Sequence, residues 1–161
     1  MSAGTNANTP AVNRDLTLLA PRFHEAVEFA IAECQQRGLD AFVYEAFRSD
    51  EIQRIYYARG RTVIPPQKPV TAARTNLESW HGYSLAVDVI HRTQLWSAPE
   101  EWFANVAEVF GRHGCKWGGN WRRPDLPHFQ WGRCKPSPSQ AAMLLARTEG
   151  VESVWRAVEA I

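Results

Sequence analysis

Leu85-Ala86-Val87-Asp88-Val89-Ile90 is the segment that most narrows what this chain can fold into. It is short, apolar and β-branched, so it reads as a buried strand. Yet Asp88 stands inside it, between Val87 and Val89. A carboxylate in a buried strand is costly unless a cation or a metal partners it. The strand is entered from Ser79-Trp80-His81-Gly82-Tyr83-Ser84, a turn that carries a histidine. Whatever the fold, it has to bring compensating groups to Asp88.

The flanking sequence supplies helices and two more strands. Phe23, Ala26, Val27, Ala30, Ile31 and Cys34 recur at helical spacing between Pro21 and Arg37, and Gly38 stops the pattern. Leu39 to Phe47 reads as a strand that ends at Arg48-Ser49-Asp50-Glu51, with Ser49 as the N-cap of a helix running to Arg59. Residues 60–78 form a long irregular segment broken by Pro65, Pro66 and Pro69. Ser97-Ala98-Pro99-Glu100 resembles a capping box for a helix reaching His113, which is read as a partner of the helix dipole, and Gly114 ends it. Trp117-Gly118-Gly119-Asn120-Trp121 reads as a turn with aromatic walls, and Pro127 to Trp131 as a last short strand. The segment 136–161 reads as two short helices divided near Gly150, with packing residues and no visible chemistry. The expected domain plan is a flexible leader over 1–14, one catalytic domain over 15–135, and the helices of 136–161 packed on it.

Composition excludes several function classes. A chain of 161 residues, 45% apolar with seven tryptophans, suits one packed core. Net charge is +1 and no basic block stands out, so no nucleic-acid partner is expected. No run approaches the roughly 20 apolar residues of a membrane span, so no membrane insertion is expected. Cys34, Cys115 and Cys134 form neither a disulfide framework nor a CxxC pair, which suits a reduced compartment. The small, polar residues 1–10 lack the features of a signal peptide. Synthesis in the cytoplasm is therefore the expectation, and a monomer is the default state.

The chemistry-bearing residues are two histidines and two aspartates at turns and strand ends. His81 and Asp88 lie in one stretch, and Asp125-Leu126-Pro127-His128 supplies the second pair. Two imidazoles and one carboxylate are a common ligand set for a catalytic zinc with an open position for water. The remaining carboxylate can take that water's proton. Arg48, at a strand-to-helix junction, is placed to present a guanidinium to a polarised carbonyl, and equally to form a structural salt bridge. HExxH, GxSxG and phosphate-cradling loops are absent.

Several linked motifs carry a family resemblance. Ser79 to Asp88 resembles the SxHxxGxAxD signature of the M15 peptidases, which include D-alanyl-D-alanine carboxypeptidases. Phe47-Arg48-Ser49, Gln53, Tyr57 and Gly60-Arg61-Thr62 resemble the GYRS…EQ…LY…GRT run of the L-alanyl-D-glutamate endopeptidase branch, which includes many phage endolysins. Trp117 to Trp121 and Asp125 to Phe129 resemble its WGGDW…DxPHF ending. The resemblance spans roughly residues 15–131. It departs at Ser84, where the signature has glycine, at Ala46-Phe47 before the arginine, and at Asn120, where aspartate is common.

The resemblance implies that His81, Asp88 and His128 bind zinc, that Asp125 is the general base, and that Arg48 stabilises the oxyanion. It also implies substrate contacts at Ser79, Gln53, Tyr57 and Trp117. The implied partner is the peptidoglycan stem peptide, reached in the cell wall after release from the cytoplasm. The expected architecture is α+β: a small, mostly antiparallel sheet flanked by helices, with a single zinc site at the sheet edge. A D,D-carboxypeptidase and a non-catalytic, zinc-holding wall-binding module stay open as alternatives.

Overall fold

A computed structural model describes residues 10–63 and 68–161. Most of the expected leader, together with Pro65 and Pro66, lies outside the described residues. The helical periodicity after Pro21 becomes α1 (Pro21–Gln36), with proline in its first turn and Phe23, Ala26, Val27, Ala30 and Cys34 buried. Strand β1 (Ala41–Glu45) leads into α2 (Asp50–Ala58), whose N-cap Ser49 accepts a hydrogen bond from the Ile52 amide at 3.2 Å. The buried segment that holds Asp88 is β2 (Ala86–His91). Then come α3 (Glu100–Arg112), β3 (Cys115–Trp117), β4 (His128–Trp131), α4 (Gln140–Glu149) and α5 (Val151–Ala157). Among the described residues no helix is long and apolar enough to cross a membrane.

The strands form one sheet in the order β1-β2-β4-β3, antiparallel at every pairing. Alternation assigns its two faces. One face carries Val87, Val89, Phe129 and Trp131 toward α1 and α3: Phe129 lies 4.5 Å from Phe110 of α3 between ring centroids, and Trp131 lies 6.4 Å from Phe23 of α1. Phe23, Phe110 and Phe129 are fully buried, each contributing about 1.5–3 kcal/mol. The other face carries Ala86, Asp88, His128 and Gln130. The α+β plan is the expected one, and the site lies on two inner strands, at the middle of β2 and the start of β4.

Two local expectations differ from what is seen. No side chain caps α3. Its N-cap is Pro99, not Ser97. A residue that precedes proline is pushed out of helical geometry, so Ala98 cannot begin the helix. Glu100 and Glu101 complement the helix dipole in its first turn instead. His113 serves a neighbouring helix rather than only its own: its Nε2 lies 3.2 Å from Glu33 of α1, and its ring stacks on Phe29.

The turn into β2 holds one strained residue. Ser84 sits at φ 58, ψ 34 with its side chain buried. This left-handed geometry costs a residue with a Cβ about 1–2 kcal/mol relative to the right-handed one, and glycine adopts it freely. Ser84→Gly is therefore expected to raise the stability of the protein by up to about 1 kcal/mol, since part of the gain is returned to unfolded-chain entropy. Ser84→Val is expected to lower it. Urea denaturation midpoints check both, and a Gly variant less stable than the wild type would contradict the strain assignment.

Candidate metal centre

Strand register assembles the site. Glu45 pairs with Asp88, and Asp88 pairs with His128, so three polar side chains form a row across β1, β2 and β4. A β-bulge between Val43 and Glu45 makes this possible. Regular alternation would group Glu45 with Ala41 and Val43, whose partners His91 and Val89 belong to the helix-covered face; the extra residue re-aims it. His81 arrives from a 3-10 turn, Trp80–Tyr83, capped by Ser79, whose hydroxyl accepts from the His81 amide at 3.4 Å. Gly82 is required there, because a Cβ would lie 2.0 Å from the Asn76 carbonyl oxygen.

Hydrogen bonds fix the tautomer of each histidine. His81 Nδ1 lies 2.9 Å from the Ala46 carbonyl oxygen. A carbonyl only accepts, so Nδ1 carries the proton and the Nε2 lone pair faces Asp88 Oδ1 at 3.2 Å. His128 Nε2 lies 2.8 Å from Gln130 Oε1, leaving the Nδ1 lone pair 3.8 Å from Asp88 Oδ1 and 4.0 Å from Asp125 Oδ2. The ligand atoms of His81, Asp88 and His128 all lie within 4.8 Å of one another. Three acceptors converging with no donor among them repel unless a cation lies between them. Two imidazole nitrogens and a carboxylate oxygen fit zinc.

The electrostatics keep these donors ready. Burial pushes the Asp88 carboxyl up, but His81, Arg48 and His128 outweigh it and hold the group well below the usual carboxylate range. Burial lowers His128 to about 4, so its ring stays neutral at physiological pH. The half-exposed Asp125 carboxyl is pushed up to about 6 by desolvation in the cleft and by the Asp88 charge. Cys34 is raised to about 11, and Cys115 and Cys134 to about 12, chiefly by burial, which disfavours a thiolate nucleophile.

Arg48 is buried and held by a network. Its Nε and Nη2 donate to Glu45 Oε1, Nη1 donates to Gln53 Oε1 at 2.9 Å, and the guanidinium lies over the Tyr56 ring. Tyr56 in turn donates to Glu45 Oε2 at 2.8 Å. Two of the five guanidinium N–H groups remain, one of them on the Nη2 that lies 3.6 Å from Asp88. Both readings of Arg48 thus coexist: it is salt-bridged and it still faces the site.

The four residues expected to contact substrate occupy different places. Gln53 is fully buried, with its amide spent on Arg48 and on the Ala73 carbonyl, so it positions the arginine. Ser79 caps the His81 turn. The Tyr57 ring stacks under the Arg61 guanidinium, and it is the neighbouring Tyr56 that reaches Arg48. Trp117 donates its indole N–H to the Leu126 carbonyl and so holds the Asp125 loop. Gly118 helps in this, accepting from the Asp125 amide at 2.9 Å; a Cβ there would lie 2.7 Å from the Asp125 oxygen. Trp121, 4.7 Å from the His128 ring, supplies an aromatic wall. Sequence reasoning missed Glu45, Tyr56 and Gln130. The spacing of Glu45 three residues before Arg48, and of Gln130 two residues after His128, was the available signal.

Comparison with known proteins places this geometry. Residues 72–131, which hold all three ligand candidates and Asp125, match a peptidase M15 family model described as D-alanyl-D-alanine carboxypeptidase. The peptidoglycan L-alanyl-D-glutamate endopeptidase CwlK of Bacillus subtilis (strain 168) is 31% identical over 132 residues, covering 74% of this chain and 75% of that one. The fold is shared with the Serratia marcescens L-Ala D-Glu endopeptidase ChiX, at a TM-score of 0.52 and 22% identity over 76% of this chain and 87% of that one. It is shared also with the LD-carboxypeptidase LdcB, at a TM-score of 0.55 and 14% identity over 86% of this chain and 68% of that one. With a donor set that fits a metal and a relative of this identity and coverage, the chain belongs to the M15 family of metallopeptidases.

Proposed function

We propose that this protein is a zinc-dependent peptidoglycan hydrolase that cleaves the L-Ala–D-Glu bond of the stem peptide. The observation that carries the reading is the convergence of His81 Nε2, His128 Nδ1 and the Asp88 carboxylate beside a second carboxylate, Asp125, and a buried guanidinium, Arg48. The identity to CwlK supports the choice of bond. A zinc ion held by the three ligands supplies Lewis acidity and brings the pKa of a water in its open position to about 7.

The remaining chemistry belongs to the chain. Asp125 accepts a proton from the attacking water and delivers it to the leaving amine nitrogen. Its half-exposed position lets it reach both partners, while His81 and His128 are nearly sealed. Arg48 directs its remaining N–H groups at the carbonyl oxygen as that oxygen becomes anionic, and one such donor is worth about 3–4 kcal/mol. Glu45, Gln53 and Tyr56 hold the guanidinium in place beforehand, so little reorganisation is needed when charge develops.

A carboxypeptidase acting at a terminal D-Ala is the second reading, favoured by the description of the matching family model. The finer setting we propose is that of an endolysin: a monomer acting on the wall in the compartment where that polymer lies, with no nucleic-acid partner. The net charge of +1 supports the last point.

Muropeptides incubated with the protein are expected to be cut between L-Ala and D-Glu, and a zinc chelator is expected to abolish the cut. Mass spectrometry of the products reads this directly. Loss of only a terminal D-Ala would move the protein to the carboxypeptidase reading. Asp125→Asn is expected to lower kcat by about 10²–10⁴-fold with zinc content unchanged; loss of zinc in that variant would make Asp125 a ligand instead. Since the base works ionised, kcat/KM is expected to fall as pH drops. The metal-free carboxyl titrates at about 6, and a bound dication lowers it, so the acid limb belongs at or below that pH. A limb centred above pH 7 would assign the base to another group.

A further inference from the structure

We propose that Gln130 is a positioning residue for the metal centre and that the Lys135 carbonyl holds it there, so that the loop following β4 sets the orientation of His128. The proposal rests on the metal-centre reading above and adds to it. Gln130 lies two residues after His128 on the same face of β4 and is almost fully buried. Its Nε2 donates to the Lys135 carbonyl oxygen at 2.7 Å. That carbonyl cannot donate, so the amide orientation is determined: Oε1 faces His128 Nε2 at 2.8 Å. The oxygen there demands a proton on Nε2. The other tautomer would set two lone pairs against each other and withdraw Nδ1 from the metal. Gln130 thus selects the one ring form that can serve as a ligand.

The same carbonyl oxygen reaches the other histidine. Trp80 donates its indole N–H to the Lys135 oxygen at 2.7 Å, and Trp80 immediately precedes His81. A carbonyl has two lone pairs, and both are used here. One oxygen therefore braces the elements that carry both imidazoles. The C-terminal helices brace the same elements: Trp131, on the strand that carries His128, donates to the Val158 carbonyl at 2.7 Å, and Trp155 donates to the Tyr83 carbonyl, inside the His81 turn, at 2.6 Å. The helices without visible chemistry close a frame around the site.

The test compares wild type, Gln130→Leu, Gln130→Glu and His81→Ala by competition titration with a chromophoric zinc chelator. The visible absorption bands of the cobalt(II)-substituted proteins and the melting of the metal-free proteins are recorded alongside. Gln130→Leu keeps the volume and removes the acceptor, and zinc binding is expected to weaken by about 10–100-fold with a shift of the cobalt bands. Gln130→Glu keeps an oxygen toward His128 but loses the donor to the Lys135 carbonyl, and is expected to bind zinc more weakly than wild type. Gln130→Leu binding zinc as tightly as wild type, with unmoved bands, would overturn the proposal even if its melting temperature fell. If Gln130→Leu does not fold, Gln130→Met, which offers only a weak sulfur acceptor, is read by the same criteria. Wild type binding zinc no better than His81→Ala would overturn the metal centre itself, a result distinct from failure of Gln130 alone.

Discussion

Asp88 is a charged group placed where an apolar one would be cheapest, in an inner strand of the sheet. The solvation it loses has to be replaced, and the neighbouring structure supplies that replacement. The bulge in β1 brings Glu45 alongside and, with it, Arg48; the 3-10 turn brings His81; β4 brings His128. Each imidazole spends one nitrogen on a fixed acceptor and turns the other inward. The site is thus the compensation for one partly buried aspartate, built from both sides of the sheet register.

The second organising device is the indole N–H. Five of the seven tryptophans donate it to a backbone carbonyl outside their own element: Trp80 to Lys135, Trp102 to Leu39, Trp117 to Leu126, Trp131 to Val158 and Trp155 to Tyr83. Each ties a loop or turn that no strand ladder reaches, while the ring fills volume in or beside the core. Rings that composition alone marks as packing residues act here as cross-braces, and three of the five hold the elements around the two histidines to the C-terminal segment.

Much of this was readable in the sequence, and the reasons differ by element. Helices announced themselves through periodicity and through local punctuation, as with Pro21, Ser49 and Gly114. The strand around Asp88 was legible because a charged residue interrupts a β-branched run. What stayed hidden depended on register. Alternation puts Glu45 on the face away from Asp88, and only the bulge reverses it; a bulge leaves no reliable trace in the residues themselves. Gln130 showed only its spacing after His128, because its role depends on a carbonyl, and carbonyls have no sequence identity. The capping motif at Ser97 misled because the proline inside it moves the helix start downstream.

The uneven exposure of the site bears on what it can cut. His81, His128 and Arg48 are nearly sealed, while Asp125 stands half in solvent at the loop held by Gly118 and Trp117. Asp88 is partly exposed, so the two carboxylates are the site's most open groups. A strand of a cross-linked net cannot thread a tunnel or be swallowed whole, because its ends are tied elsewhere. On the proposed function, it is met where Asp125 stands outward and the histidine donors stand recessed, and it is severed without being unpicked from its neighbours.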